Sequence, residues 1–363
     1  MGRSSNNIYI AIKDDILSKK LRSGEYLPAI RDLSEQFNVA TGTVHKSLKK
    51  LAKDGYIISE SRKGFHVADL GDLFLDGLTI AYAQVKQTAS INEDLHFKQF
   101  KESLDIAAGR RGIAILSLEC IIKDLKTFID RLQVCRIGGL ILNTIQFSKE
   151  QKDQLFSAFK EMQIPVVLMD SFVDDHEIDV VHQDNFKGGE LAAEYAVKKG
   201  YKKFIWLGEA GISHHSRERF GGVCAGLIKS GYYLHEKNVL PFGGKDFDEA
   251  TIMKSALKKV LLASKEPVFV FALWSSYAYI VSQVFHESNL KIGPDYGFIG
   301  WSIDELYDTV YKNTFMPKYI PPVVAWKAAE LADQTIDRLL YRRKYPHAPA
   351  ARSLIPVAIY GNI

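Results

Sequence analysis

The sequence predicts an α/β protein in two parts: a small head of three helices closed by a hairpin, then a larger body of alternating short strands and helices. Three observations carry this. Apolar runs such as L-T-I-A-Y-A, G-G-L-I-L and V-F-V-F-A-L are each separated by stretches of helical period, the pattern of parallel sheets covered on both faces. That pattern occurs in two successive runs, which implies two lobes. The first 70 residues lack it and hold 12 Lys and Arg against 8 Asp and Glu, while the remainder is balanced at 35 each. The whole excess of +4 therefore sits in the head, which suits a small polyanion-binding unit on a neutral body.

The totals are those of a globular chain. At 363 residues, 47% hydrophobic and 25% charged, two or three units of about 100–200 residues are expected. No apolar run approaches the roughly 20 residues needed to cross a bilayer, and no charged-then-apolar leader opens the chain. A cytoplasmic protein without membrane contact is expected. Cys120, Cys135 and Cys224 are scattered, without metal spacing, and read as small hydrophobes in a reducing compartment.

In the head, Ile8, Ile12 and Ile16 stand four apart and make a first helix through about Lys19. Ser23-Gly24 breaks the chain. Leu27-Pro28 leads into a second helix, Ile30–Phe37, with Leu33 and Phe37 facing inward. The stretch Val39–Leu51 is the third helix: Val44, Leu48 and Leu51 form one apolar stripe, and Gly42, His45, Lys46 and Lys49 another face. That face is small at its start and cationic further along, so it fits a helix that approaches base edges and leaves its lysines to phosphates; a solvated basic face is the plainer reading. Gly55 stops the helix. Tyr56–Ser59 and Phe65–Ala68 pair across a tip, Glu60–Gly64, in which Lys63 can meet phosphate and Gly64 permits close backbone approach. Three helices and a hairpin make a winged helix-turn-helix.

The segment I-R-D-L-S-E-Q-F-N-V-A-T-G-T-V-H-K-S-L-K-K-L, with its flanks, resembles the DNA-binding domain of the gluconate-repressor (GntR) family. The resemblance implies a homodimer on a two-fold operator, with the family's helix-2 arginine at Arg31, its Thr-Val pair at Thr43-Val44 and its wing glycine at Gly64. It departs where Ala40-Thr41 replace a common Ser-Arg, and where His45-Lys46 replace Arg-Arg. Arginine is the commonest bidentate reader of guanine, so a different operator is expected. Candidate DNA contacts are Arg31, Thr41, Gly42, Thr43, His45, Lys46, Lys49, Lys63 and Gly64.

The head ends near residue 70, and residues 71–77 form an apolar-rich linker. In the body, helices are expected at Phe97–Gly109, Lys123–Leu132, Lys149–Met162, Gly188–Lys199, Arg219–Ser230, Ala250–Ala263, Tyr277–Ser288 and Lys327–Arg342. Strands lie between them at G-I-A-I-L-S-L, P-V-V-L-M-D, V-V-H-Q-D, F-I-W-L-G and Y-G-F-I-G. Ligands of open parallel sheets sit beyond the strands' carboxyl ends. With two lobes, that place is the cleft between them.

The motifs D-N-F-K-G-G-E-L-A-A-E-Y, S-R-E-R-F-G-G-V, I-G-P-D-Y-G-F-I-G-W and S-L-I-P-V-A-I-Y-G resemble the effector domain of the lactose/galactose-repressor (LacI) family, itself similar to periplasmic sugar-binding proteins. The resemblance spans about residues 78–361 and implies three crossings between lobes, near Asp184, Trp326 and Arg352. Lobe 1 is then about 78–183 with 327–352, and lobe 2 about 184–326 with 353–363.

It also places Arg219 on the family's sugar-hydroxyl arginine, whose fixed donors suit vicinal hydroxyls or a carboxylate. Asp170, ending V-V-L-M-D, offers a carboxylate at the strand mouth. Asp184 is either a cleft residue or a helix cap. Trp274-Ser275 replace the family's Asn-Asp, and Trp301-Ser302 stand where an aromatic and an aspartate are common. Asp304 is either a replacement for the lost carboxylate or no part of the cleft, and Gln84 is a candidate lip residue. These departures leave a sugar, a sugar acid or a sugar phosphate open as effector.

No metal or cofactor is expected. His214-His215 have neither metal spacing nor a triad and read as a mobile cleft loop. Gly138-Gly139 and Gly243-Gly244 lack a phosphate-loop context. Tyr341–Tyr345 is a basic helix end complementing the helix dipole. The expected function is a ligand-controlled transcriptional regulator, a repressor of carbohydrate use. The alternatives are a ligand-independent regulator with a degenerate pocket, or an enzyme fused to a DNA-binding head. No cofactor-bearing lysine or nucleophile–base pair supports the enzyme.

Overall fold

The computed structural model describes residues 3–17, 20–22, 24–53, 56–60, 63–68, 79–86, 95–134, 137–144, 149–173, 178–240, 249–311 and 321–361. The expected stop at Gly55, the linker at 71–77, Cys135 and Gly243-Gly244 lie outside them.

The head consists of α1 (Arg3–Leu17), α2 (Ile30–Gln36), α3 (Thr41–Lys53) and an antiparallel hairpin, β1 (Ile57–Glu60) with β2 (Gly64–Val67). The apolar spacings decide it. Ile8, Ile12 and Ile16 of α1 meet Leu33, Val44, Leu48 and Leu51 in one core. Ser47 is the polar exception on the buried face of α3. Its hydroxyl donates to the Ser5 carbonyl at 2.7 Å, tying α3 to α1. Asn38 takes a left-handed φ of 50° between α2 and α3, a conformation asparagine tolerates better than most residues.

The body holds two six-stranded sheets. The first contains β3 (Thr79–Lys86), β4 (Ala114–Ile121), β5 (Gly139–Thr144), β6 (Val166–Met169) and β7 (Asp179–Gln183). Its helices are α4 (Leu95–Gly109), α5 (Leu125–Val134) and α6 (Lys149–Met162). The second sheet follows with α7 (Asn185–Lys198), β8 (Lys203–Leu207), α8 (His214–Lys229), β9 (Val239–Leu240), α9 (Glu249–Ala263), β10 (Val268–Ala272), α10 (Tyr277–Glu287), β11 (Tyr296–Ile303), α11 (Tyr307–Tyr311) and β12 (Val323–Trp326). The chain then returns through α12 (Ala328–Lys344) and β13 (Arg352–Ile355) to the first sheet, and ends in the second with β14 (Ala358–Tyr360). Pairing is parallel except between β12 and β14.

The sheets change hands after Gln183 and after Trp326. The third change differs from expectation. Arg352 stays in the first sheet, because β13 pairs in parallel with β7 through Ile355, opposite Gln183. The chain crosses at Pro356-Val357, and proline, lacking an amide proton, cannot extend such a ladder.

Two helix starts in the body differ by three residues or more. α8 begins at His214 rather than Arg219, because Ser213 caps it and Ser216 reciprocates as a capping box. His214 and His215 are thus first-turn helical residues, not a loop. α7 begins at Asn185 rather than Gly188, with Asp184 as its N-cap, accepting from the Lys187 amide at 2.9 Å.

Candidate functional site

Glycines bring the site together. α7 and α8 cross with backbones in contact. A Cβ on Gly189 would run into the Arg219 carbonyl, and one on Gly222 into the Phe186 carbonyl. Gly188 leaves room for an indole, since its Cβ would lie 2.6 Å from the Trp301 ring. The paired glycines of G-G-E-L and F-G-G-V therefore set Asn185, Arg219 and Trp301 against one another.

Arg219 is the centre. Its side chain is 2% exposed. Nε donates to Asn185 Oδ1 at 2.8 Å and Nη1 to the Leu273 carbonyl at 2.9 Å. Its guanidinium lies 4.1 Å from the centroid of Trp301, 5.0 Å from Trp274 and 5.6 Å from Trp326. Three of the chain's four tryptophans thus surround one cation, whose flat faces suit such stacking. Burial pulls the guanidinium down to about 9, against the opposing charge of Asp170.

Asp170 faces this cage from the first lobe, in a left-handed conformation with φ 48°. Its Oδ1 lies 3.3 Å from His215 Nε2. Burial acts to raise its pKa, but the His215 contact and the charges of His215, Arg219 and His96 outweigh it and hold the carboxyl below its ordinary value. Gln84 is buried at the end of β3, in register with Asn143 of β5, whose amide donates to the Met169 carbonyl at 2.9 Å.

The structure thus gathers Arg219, Trp274 and Trp301 directly, with Asp170 opposite. Two candidates have other surroundings. The Asp184 carboxylate caps α7. Asp304 opens a short 3-10 turn after β11, and its neighbour Glu305 has a task that sequence reasoning missed: its carboxylate accepts from the amides of Ala328 and Ala329 at 3.0 and 3.1 Å, capping α12 across the second crossing. Also missed were Asn185 and Trp326. Their signals were present, in the D-N-F motif and at the crossing itself. Glu209 was missed too: its carboxylate gathers the amides of Gly211, Ile212 and Ser213 and so shapes the turn that presents α8.

A second cluster bridges the lobes beside the cage. Arg352 Nε donates to His182 Nε2 at 2.7 Å, and Nη2 lies 3.1 Å from His214 Nε2 and bonds Glu218. Phe172 stacks on His214 with ring centroids 3.8 Å apart. Burial and the adjacent Arg352 charge drive His182 down to about 3. Burial opposes the Glu218 charge, but His214 and Arg352 win and lower it to about 2. His182, His214 and Glu218 bring ligand-type atoms within 4.8 Å of one another, yet Arg352 touches all three and already supplies a cation there.

At the base of the first lobe, Asp179 is fully buried and takes Arg338 and Arg342 at 2.6 and 2.7 Å. Burial acts against that carboxylate, but the two arginines and the Ala351 amide hold its pKa low. Arg342 therefore does more than complement a helix dipole. An 880 Å³ cavity lined by Lys202, Lys203 and Lys259 lies at the amino ends of β8 and β10, the end opposite to where parallel sheets place ligands.

On the head, Thr41, Gly42, His45, Lys46 and Lys49 are exposed along one side of α3, and Arg31 is exposed on α2. Thr43 is half-buried. Gly64 turns the hairpin with φ 107°. Lys63, expected to meet phosphate, is paired with Glu60 at 2.7 Å and remains exposed; such a surface pair is weak and easily exchanged.

Comparison with known proteins agrees with this geometry. Residues 4–67 match the bacterial regulatory proteins of the gntR family, and residues 89–267 match the periplasmic binding proteins and sugar binding domain of the LacI family. The chain therefore carries a gntR-type helix-turn-helix joined to a LacI-type periplasmic-binding domain. It is 21% identical to the HTH-type transcriptional repressor PurR of Pasteurella multocida over 82% of this chain and 86% of that one. It is 36% identical to the maltose regulon regulatory protein MalI of Escherichia coli K12, over 31% of this chain and 34% of that one. The solved complex of the transcriptional regulator CelR with cellobiose shares its two-lobed fold at a TM-score of 0.64 and 14% identity, covering 92% of this chain and 98% of that one. Among the described residues no helix is long and apolar enough to cross a membrane.

Proposed function

We propose that this chain is a cytoplasmic, homodimeric transcriptional regulator, a repressor of carbohydrate-use genes, whose grip on operator DNA is set by a small sugar-like effector held between the lobes. One observation carries the reading: an exposed cationic α3 and a buried arginine cage between two lobes occupy the same chain. Arg219, Trp274, Trp301 and Asp170 contact the effector, while Gln84 lines the lip. Asp184 caps α7 at the first crossing, and Asp304 stays a candidate carboxylate for the effector at the turn after β11. Arg31, Thr41, Gly42, Thr43, His45, Lys46, Lys49 and Gly64 face DNA, and Lys63 joins them by exchanging Glu60 for phosphate. The relatives' names, a maltose regulon regulator and a cellobiose-bound regulator among them, support a carbohydrate-sized effector.

The mechanism is a change of spacing. Paired heads need a fixed separation to engage two half-sites. An effector that prefers the closed body rotates one lobe against the other and alters that separation, by no more than its differential affinity for the two states. No step is chemical, and we assign no enzymatic role. The test is to select bound duplexes from a random library and then to titrate sugars, sugar acids and sugar phosphates against the selected duplex. A saturable change in affinity supports the reading. A duplex whose binding ignores every effector would instead favour a ligand-independent regulator.

A further inference from the structure

The buried arginine of the cage has no carboxylate in direct contact; Asp170 acts on it only across a gap. Among the described residues no carboxylate lies within 4 Å of Arg219. The one facing it, Asp170, is engaged by His215. Nε and Nη1 donate to neutral oxygens, and Nη2 has no hydrogen-bond partner among the described residues. Hydroxyls stand where the resembling family has acids: Ser275 follows Trp274, and Ser302 follows Trp301 with its hydroxyl donating to the Ile303 carbonyl. Around the guanidinium, further donors are buried without partners, namely Asn185 Nδ2 and Trp326 Nε1. A desolvated charge without a paired opposite is among the costliest things a protein can bury. Open donors of this kind suit a ligand that accepts from them.

We propose that the effector is an acid: a carbohydrate-sized molecule whose carboxylate or phosphate docks on the open Nη2 edge of Arg219 and accepts hydrogen bonds from Asn185 Nδ2 and Trp326 Nε1, while its body lies against the tryptophans. This rests on the effector reading above and specifies its ligand class. A neutral sugar would leave the Nη2 edge without an opposite charge in contact, whereas an oxyanion there pairs ion with ion through charge-assisted hydrogen bonds. Asp170 then has a selective role. It opposes the anion, and His215 moderates that opposition.

The test uses full-length protein at constant ionic strength, followed by calorimetry and thermal shift. D-Gluconate, D-glucuronate and D-glucose 6-phosphate are compared with D-glucose and cellobiose, and acetate and inorganic phosphate are run as scaffold-free probes. At least one acid should bind saturably, about tenfold or more tightly than its neutral counterpart. Acetate or phosphate should give a saturable rise in melting temperature. Arg219→Met should abolish both effects, Arg219→Lys should retain part of them, and Asp170→Asn should tighten the anion. The carboxylate and phosphate arms tell the two oxyanions apart.

A neutral sugar that binds as well as its acid overturns the inference and leaves the sugar-effector reading standing. Anion effects equal in wild type and Arg219→Met are general salt effects and also overturn it. No Arg219-dependent stabilisation by any anion does the same, and if no sugar binds either, the effector reading falls with it. Should the Met variant misfold, the acid-to-neutral ratio on wild-type protein decides.

Discussion

The side chain with most at stake is Arg219. Its charge, its three indole neighbours and its two carbonyl-type acceptors are all fixed by residues from different elements. Arg219→Ala should abolish the effector-dependent change in operator affinity, read by fluorescence anisotropy; loss of DNA binding as well would mark a folding defect instead. His182 offers a pH test. Its native pKa near 3 lies below the ordinary 6.5, so the unfolded chain binds a proton that the native chain refuses. Stability is then full above about pH 6.5 and falls by about 1.4 kcal/mol per pH unit toward pH 3. Glu218 adds in the same direction below about 4.5. His182→Gln keeps an acceptor for Arg352 and should flatten the melting-temperature profile between pH 6.5 and 4. Arg219, Trp274 and Trp301 were legible because the resemblance to the LacI-type effector domain put them at the cleft. The His182–Arg352–Glu218 cluster was not, since its members are 36 and 134 residues apart and meet only through the crossings.

At the level of elements, two surfaces carry predictions. The crossing of α7 and α8 depends on glycine at Gly222, where an added methyl would meet the Phe186 carbonyl. Gly222→Ala should destabilise by about 1–3 kcal/mol in urea denaturation, as overpacking does. It should also loosen effector binding, since Arg219 lies one turn earlier on the same helix. On α3, Lys49→Ala should weaken DNA binding and reduce the salt slope by roughly one phosphate contact; an unchanged slope would mean that Lys49 faces water only. Helices were legible from period, and α6 was expected with the bounds it has. The start of α8 was not, because its capping serine is followed by two histidines and a second serine rather than an acidic third residue. Strands β9, β12 and β14 are two to four residues long, too short to show alternation.

Across the whole molecule, Arg352 on the first sheet grips Glu218 and His214 of the second lobe. Arg352→Gln should shift the ligand-free population toward open bodies, visible as a larger radius of gyration in solution scattering. It should also weaken effector affinity, because a ligand that needs the closed state binds in proportion to how much of it exists. An unchanged radius would mean that the stacked Phe172 and His214 hold the lobes without it. Two-lobed architecture was readable from the repeated strand–helix run. The site of the third crossing was not, because the choice between sheets for Arg352–Ile355 is made by a distant strand, β7. That crossing has a geometric effect. Only Pro356 and Val357 separate a strand fixed in one sheet from a strand fixed in the other, and two residues reach about 7 Å at full stretch. The opening proposed above would therefore hinge along this margin, like a book on its spine. Atoms beside the spine barely travel however wide the covers swing, so a drug or mutation meant to jam the motion belongs at the fore-edge, where a few degrees become several ångströms.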